Sequence, residues 1–425
     1  MNTPVPAAAR RHVVVGFTVA ALTLAFTDRV NLAVAAVAMR SQLHWSQSVK
    51  GLVLAAFFVG YLVFQVASGA LAQRFGGKRV LGIAVLSWSA FALLTPLAAT
   101  TSVAVLVLVR IALGIGEAAV VPASYDLFSR WVPASERGRA VGRFLCGIPL
   151  GQIAGFALTG YLTATYGWPA SFYLFGALGV LWALIFLRAV HNDPADDPQV
   201  SAAERAVLPL LPAGARAPMP WRQLLSIPMV RAFMVAHFCH NWALYLLVSW
   251  LPSYYTEHLG LPLAQAGLYS ALPWVTNFIA LLAGGSLGDA LIARGARALN
   301  VRRLTGAAGL AGTMLALLLL PLAMHPQVAL VITCGASAAL GLACAGFIAV
   351  PLDVSARHAP VLAGASNTLA TIPGIAGVAI TGWLLDVTHT YAVTFLVSAA
   401  IAGAGAVLLA LTRVAPPARA HVAAA

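Results

Sequence analysis

Residues 27–35 read TDRVNLAVA. Thr27, Asp28, Arg29 and Asn31 interrupt a run from Val13 to Met39 that is otherwise apolar, with VVVGFTVAALTLAF before them and LAVAAVAM after. Two adjacent opposite charges in an apolar medium cost several kcal/mol unless they are paired and hydrogen-bonded. Their meaning therefore depends on the solvent around this helix, and the rest of the chain identifies it. The 425 residues are 61% hydrophobic and only 9% charged, with a mean hydropathy of +0.89, against about 25% charged residues in an ordinary soluble domain. Apolar runs of the roughly 20 residues that cross a hydrocarbon layer of about 30 Å as helix recur at 13–39, 50–72, 80–99, 102–126, 140–164, 169–189, 231–255, 264–289, 304–323, 327–350, 361–385 and 391–412. An all-α integral membrane protein of twelve transmembrane helices is predicted, embedded in a lipid bilayer.

The charges set its orientation. Of the 25 Lys and Arg, 21 fall on the side that holds the N-terminus, only Arg40 and Lys50 on the other, and Arg29 and Arg110 within the bilayer. By the positive-inside rule both termini are expected in the cytoplasm, and the setting is expected to be a bacterial inner membrane. The net charge of +13 forms no basic stripe or domain of the kind that nucleic-acid binding needs, so no nucleic-acid partner is expected. The first apolar run has no small-residue cleavage site at its end, so it is expected to be retained rather than removed as a signal peptide. Cys146, Cys239, Cys334 and Cys344 lie inside helices without metal-ligand spacing and are expected to act as apolar fillers.

The segment between the sixth and seventh helices, HNDPADDPQVSAAERAVLPLLPAGARAPMPWRQLLSIP, is rich in Pro and charge and has a linker's composition. It divides the chain into a bundle at 1–190, a central cytoplasmic loop at 191–230 and a second bundle at 231–425. The halves echo each other. GALAQRFGG at 69–77 resembles GSLGDALIARG at 285–295, and GFALTGYL at 155–162 lies on GVAITGWL at 377–384 with a constant offset. Two pseudo-symmetric six-helix bundles explain both, and repeats of this kind, with a binding site near the bilayer midplane, are the architecture of many secondary transporters.

Over essentially its whole length the chain resembles the major facilitator superfamily. GALAQRFGGKR after helix 2 is similar to that superfamily's loop signature, with Gln73 where an acid is usual and Arg74 as the basic residue, while the second-half copy carries the acid, Asp289. DRVNLAVA in helix 1, RIALGIGEAAVVPAS at 110–124 and RWVPASERGRAVG at 130–142 resemble the anion:cation symporter family, which includes relatives of sialin and the vesicular glutamate transporters. The resemblance implies proton-coupled uptake of an organic anion such as a sugar acid, with Asp28 and Glu117 as proton carriers and Arg29 as the main anion anchor.

The residues support the same chemistry by themselves. At 1.5 Å rise per residue, Asp28 lies about 22 Å along helix 1, and Arg110 and Glu117 lie about 12 and 22 Å along helix 4 from its opposite end. The depths overlap. Arg110 and Glu117, two turns apart, share one face, as do Asp28 and Asn31, with Arg29 turned about 100° away. Intramembrane ionisable residues usually mark substrate or proton paths, although a structural salt-bridge network between helices 1 and 4 would use the same residues. Arginine offers a planar fork suited to a carboxylate, and protonation of an acid would free its arginine for an incoming anion. Two such acids would permit electrogenic uptake.

Further substrate-binding candidates are Arg110 and Asn31, Tyr61 and Gln152 near mid-depth, and Asn241 and Asn367 in the second half. Helix 7 carries His237, Asn241 and Tyr245 as one stripe at four-residue steps, with His240 off it; neutral, hydrogen-bonded histidines are expected there. Arg74, Asp289, Arg294, Glu136 and Arg137 are assigned to gates, with Glu136, Asp126 and Asp353 expected to form salt bridges with residues such as Arg137 and Arg139. No nucleotide loop, metal cluster or catalytic triad pattern is present in the sequence, so no enzyme and no cofactor is expected, the coupling ion being the proton. The predicted function is a monomeric proton-coupled symporter importing a hydroxylated carboxylate by alternating access. The rival readings are a proton antiporter for drugs or metabolites and a transporter-like ligand sensor.

Overall fold

The computed structural model describes residues 10–133, 135–208, 221–355 and 358–414. The expected position of both termini, the charges Arg216, Arg357 and Arg419, and part of the central loop lie outside the described residues. Among the described residues twelve helices are long and apolar enough to cross a membrane: α1 Arg10–Leu43, α2 Gln47–Phe75, α3 Gly77–Thr101, α4 Val103–Trp131, α5 Arg137–Tyr166, α6 Pro169–Ala189, α7 Pro228–His258, α8 Leu263–Ala293, α9 Ala298–Leu322, α10 Pro326–Val354, α11 Val361–Thr388 and α12 Tyr391–Leu411. No strand occurs among the described residues. Hydrocarbon offers no hydrogen bonds to a backbone, so each spanning segment must satisfy its own N–H and C=O groups, and a helix does so. The outward surface is apolar, with Val63, Val66, Ile83 and Leu108, and likewise Ile279, Val331 and Leu411, exposed.

The helices start and stop where local chemistry directs. Ser102 caps α4 by accepting from the Val105 N–H, and Thr390 caps α12 by accepting from Ala392. Gly76 turns the chain between α2 and α3 with a φ of +85°, and Gly167 ends α5 at the same angle, a backbone region that glycine enters without steric cost. Three described spans are broken ahead of a proline that removes a helical N–H, one of them α5, between Leu145 and Gly147 before Pro149. In α4 the helix re-forms at Val120 after Glu117, and in α10 at Val350 after Phe347; Pro122 and Pro351 follow the respective breaks. The Ala118 carbonyl, which Pro122 cannot satisfy, instead accepts from the Ser68 hydroxyl at 3.1 Å.

The described chain forms two compact units. One comprises residues 1–44 and 56–215, the other residues 45–55 and 216–425. Thus the first turns of α2 group with the second unit and the rest of that helix with the first. In unit 1, α1 packs on α5, and α3 on α4 and α6; in unit 2, α10 packs on α8 and α9, and α7 on α11 and α12. Glycine permits the closest approaches. A Cβ at Gly151 of α5 would stand 2.3 Å from the Thr23 carbonyl oxygen of α1, and one at Gly114 of α4 would stand 2.1 Å from the Phe57 carbonyl oxygen of α2. Such flats let helices approach without a hydrophobic driving force, and Thr27 then donates to the Gly151 carbonyl at 3.1 Å.

Gly151→Val is expected to pry α1 from α5. Overpacking of this type costs on the order of 1–3 kcal/mol, whereas a Cβ at Gly142 of the same helix meets nothing within 4 Å. Thermal unfolding of the purified protein should show a clearly lower Tm for Gly151→Val than for Gly142→Val; equal values would contradict the packing.

Candidate functional site

Four ionisable groups gather inside unit 1. Arg29 of α1 donates to Glu117 of α4, from Nη2 at 3.0 Å and from Nε at 3.3 Å, both to Oε2. The pairing thus runs across to α4 instead of along α1 to Asp28. Asp28 lies within electrostatic reach of Glu117 and Arg110, and Arg110 within reach of Glu117, Asp28 and Arg29. All but Arg29 are almost wholly buried, with Asp28 at 3%, Arg110 at 2% and Glu117 at 1% exposure. The Arg29 guanidinium sits over three rings, Phe26 at 4.3 Å and Phe57 and Tyr61 at 4.9 Å each. A desolvated guanidinium over aromatic faces gains cation–π attraction, which keeps it oriented while leaving its fork available for carboxylate pairing.

Hydrogen bonding in this cluster is incomplete. Asp28 Oδ1, Glu117 Oε1, Arg110 Nε and Asn31 Nδ2 are buried without a hydrogen-bond partner. Buried polar atoms of native proteins are nearly always paired, so these orphans mark a polar site left partly open, with the Trp88 indole N–H standing close to Asp28. Asn31 joins it from α1 while its Oδ1 accepts from Thr159 of α5 at 3.1 Å. Tyr61 contributes its ring to the Arg29 box, and Gln152 is buried on α5.

The two second-half candidates belong to unit 2. Asn367 is half-buried on α11, and the Asn241 amide is engaged, its Nδ2 donating to the Ala370 carbonyl at 2.8 Å and its Oδ1 facing His240 Nδ1 at 3.0 Å. His240, off the stripe, reaches the side chain of the neighbouring Asn241 with a ring nitrogen. His237 meets the Ser366 hydroxyl at 2.9 Å.

The gate residues find partners other than those expected. Glu136 accepts from Arg11 of α1, Nε at 2.9 Å and Nη2 at 3.0 Å, and not from Arg137 or Arg139. The reason is local: Arg137 turns back to donate to the Ser129 and Val132 carbonyls at the end of α4, where a cation complements the helix terminus. Asp126 pairs with Arg130 at 3.1 Å and accepts from the Gly77 N–H. Asp289 and Asp353 both meet Arg302, at 3.4 and 3.1 Å. Arg294 is exposed with no ion pair among the described residues, and Arg74 lies over the Phe75 ring at 5.2 Å.

The sequence pattern of the Major Facilitator Superfamily matches residues 18–378. The chain belongs to that superfamily. It is 38% identical over 362 residues to "Probable anion transporter 4, chloroplastic" of Oryza sativa subsp. japonica, covering 84% of this chain and 61% of that protein. It is 36% identical over 380 residues to "Ascorbate transporter, chloroplastic" of Arabidopsis thaliana, covering 89% and 70%. Among solved structures, an inward-facing, occupied bacterial homolog of the human lysosomal transporter Spinster superposes with a TM-score of 0.78 at 17% identity, over 98% of this chain and 100% of that one. The superfamily member is accordingly a transporter-family protein and not an enzyme. The chloroplastic relatives overturn the expectation of a bacterial inner membrane: hydropathy and charge bias define a bilayer and an orientation but not which membrane. A multi-pass membrane protein stands.

Sequence reasoning missed two buried ion pairs of this superfamily member, Arg11 with Glu204 at 3.4 Å and the pair made by Lys50. Lys50, counted as a topological charge, is fully buried in unit 2, donating to Ser253 at 2.8 Å and Glu257 at 2.9 Å over the Trp250 ring. Glu257 stands in a π-helical turn, Tyr254–His258, and Asp386 accepts from the Gln47 and Ser48 N–H groups beside it. The one available signal was the pairing of a lone lysine with a lone acid at helix ends far apart in sequence.

The Arg11 hydrogen bonds hold the Glu136 carboxyl below the usual carboxylate range. A depressed folded-state pKa stabilises above the unfolded value, about 4.3 for Glu, and that contribution is lost as pH falls through the folded value. The Tm gap between wild type and Glu136→Gln is therefore expected to be full at neutral pH and to close as the pH is lowered below about 4. A gap that widens on acidification would refute the pairing.

Proposed function

We propose that the chain is a secondary transporter that moves an organic anion across a membrane by alternating access, with protons as the coupling ion. The observation that carries this is the Arg29–Glu117 pair at 3.0 Å within a cluster of four charges, three of which carry a buried polar atom without a partner. Arg29 is the anion anchor. While Glu117 is ionised it occupies the guanidinium fork; a proton on Glu117 weakens that hold and leaves Arg29 to a substrate carboxylate. Asp28 lies within electrostatic reach of Arg110, so a proton on it would weaken the hold on that arginine, and Asn31, Tyr61 and Gln152 supply polar groups for hydroxyls. A hydroxylated carboxylate, such as a sugar acid, fits a site with two cations and several neutral donors. Support comes also from the relatives, one named for anions and one for ascorbate, whose chloroplastic designations point to a plastid membrane as the setting.

Proteoliposome uptake of ascorbate and of sugar acids, driven by an inward proton gradient, tests this. Arg29→Ala should reduce uptake tenfold or more, since a hydrogen bond to a charged group is worth about 1.5–3 kcal/mol. Glu117→Gln and Asp28→Asn should retain exchange of substrate across the membrane but lose accumulation against a gradient. Accumulation by both acid variants sinks the proton assignment, and full transport by Arg29→Ala sinks the anion assignment. Dependence on a sodium gradient in place of the proton gradient would replace the coupling ion.

A further inference from the structure

Unit 2 has a buried polar centre of its own, without carboxylates. His240 lies twelve residues into α7, about 18 Å along it, and both of its ring nitrogens face oxygen atoms: Nε2 is 3.1 Å from the Leu340 carbonyl of α10, and Nδ1 is 3.0 Å from Asn241 Oδ1. The orientation of the Asn241 amide is assigned independently, because its Nδ2 donates to the Ala370 carbonyl of α11 at 2.8 Å. Turning the amide over would set Oδ1 against that carbonyl, two acceptors in contact. A neutral imidazole has one N–H and can satisfy only one of the two oxygens. An imidazolium satisfies both.

We propose that His240 is a proton-binding site of unit 2, its imidazolium held between the Asn241 amide oxygen and the backbone of α10. The groups around it do not supply that charge by other means. On α7, His237 lies 6.5 Å away between ring centroids and is bonded to Ser366. From α10 come the Phe347 ring at 5.1 Å and the Leu340 carbonyl. The acids of unit 2 are engaged elsewhere: Asp289 of α8 and Asp353 of α10 with Arg302 of α9, Glu257 with Lys50 and with Tyr391 of α12, and Asp386 of α11 with the start of α2. Arg303 of α9 bonds the Thr412 carbonyl past α12. A proton on His240 therefore gives unit 2 a positive charge at mid-span where no permanently charged side chain stands, and that charge would favour an anion over a neutral solute. This site stands or falls independently of the route through Asp28 and Glu117.

The test uses the full-length protein in lipid nanodiscs with 15N-labelled histidine, the His240 ring signals being assigned by their loss in His240→Gln. As the pH is lowered from about 8 to the lowest value at which the protein stays folded, His240 is expected to pass from one ring N–H to two. Asn241→Leu, which deletes one acceptor, should lower that midpoint by about one unit, a tenfold loss of protonation, and Asn241→Asp should raise it. A His240 that keeps a single ring N–H throughout, or a midpoint that neither Asn241 variant moves, overturns the proposal. Should Asn241→Leu fail to fold, the wild-type titration and Asn241→Asp decide alone.

Discussion

Arg29 and Glu117 hold each other at 3.0 Å in a medium that offers neither charge another solvent. Breaking a buried pair by removing one partner leaves an uncompensated charge, at a cost of about 3–5 kcal/mol, so the surrounding structure is organised to keep the two together. Gly114 brings α4 against α2 three residues before Glu117, which sets the aromatic rings of Phe57 and Tyr61 beside the guanidinium. The α4 helix then breaks directly after Glu117, and Ser68 takes up the carbonyl that the break exposes. A single electrostatic requirement thus reaches into helix packing, ring placement and backbone hydrogen bonding.

Much of this was legible in the sequence, because a bilayer simplifies the physics. Length and apolarity identify spanning helices, and the fixed rise and pitch of a helix give depth and face; these sufficed to bring Asp28, Arg29, Arg110 and Glu117 to one level. They do not give the rotation of one helix against another. That is why the choice of Glu117 over Asp28 as the partner of Arg29 waited for coordinates, and why Glu136 was paired with neighbours in sequence when its partner, Arg11, is 125 residues away. Lys50 was counted as a surface charge for the same reason. The breaks in α4 and α10 escaped notice because membrane helices often tolerate proline without breaking, so Pro122 and Pro351 announced nothing by themselves.

The two units answer the problem of polarity in a membrane differently. Unit 1 uses formal charges that cancel in number, two acids and two arginines, with several atoms left unpaired. Unit 2, apart from its Lys50–Glu257 pair, uses amides, hydroxyls and imidazoles whose partners are mostly backbone carbonyls: Asn241 on Ala370, Asn277 on Ser337, Thr276 on Cys334. The internal echo of the sequence survives in the proline-broken fourth helix of each half. It does not extend to the chemistry carried beside the break, which has Glu117 in one half and Phe347 in the other.

The 88 residues that separate Arg29 from Glu117 have a consequence for biogenesis. At a synthesis rate of about 5–20 residues per second, α1 enters the membrane roughly 4–18 s before its partner helix exists. During that interval Asp28 and Arg29 are two charges with no acid or base from α4 beside them, each costing about 2.5–3.5 kcal/mol at a helix centre. Their opposite signs leave that level of the nascent helix without net charge. The same neighbours that exchange partners in the folded protein make the first helix tolerable to the insertion machinery before the fold is complete.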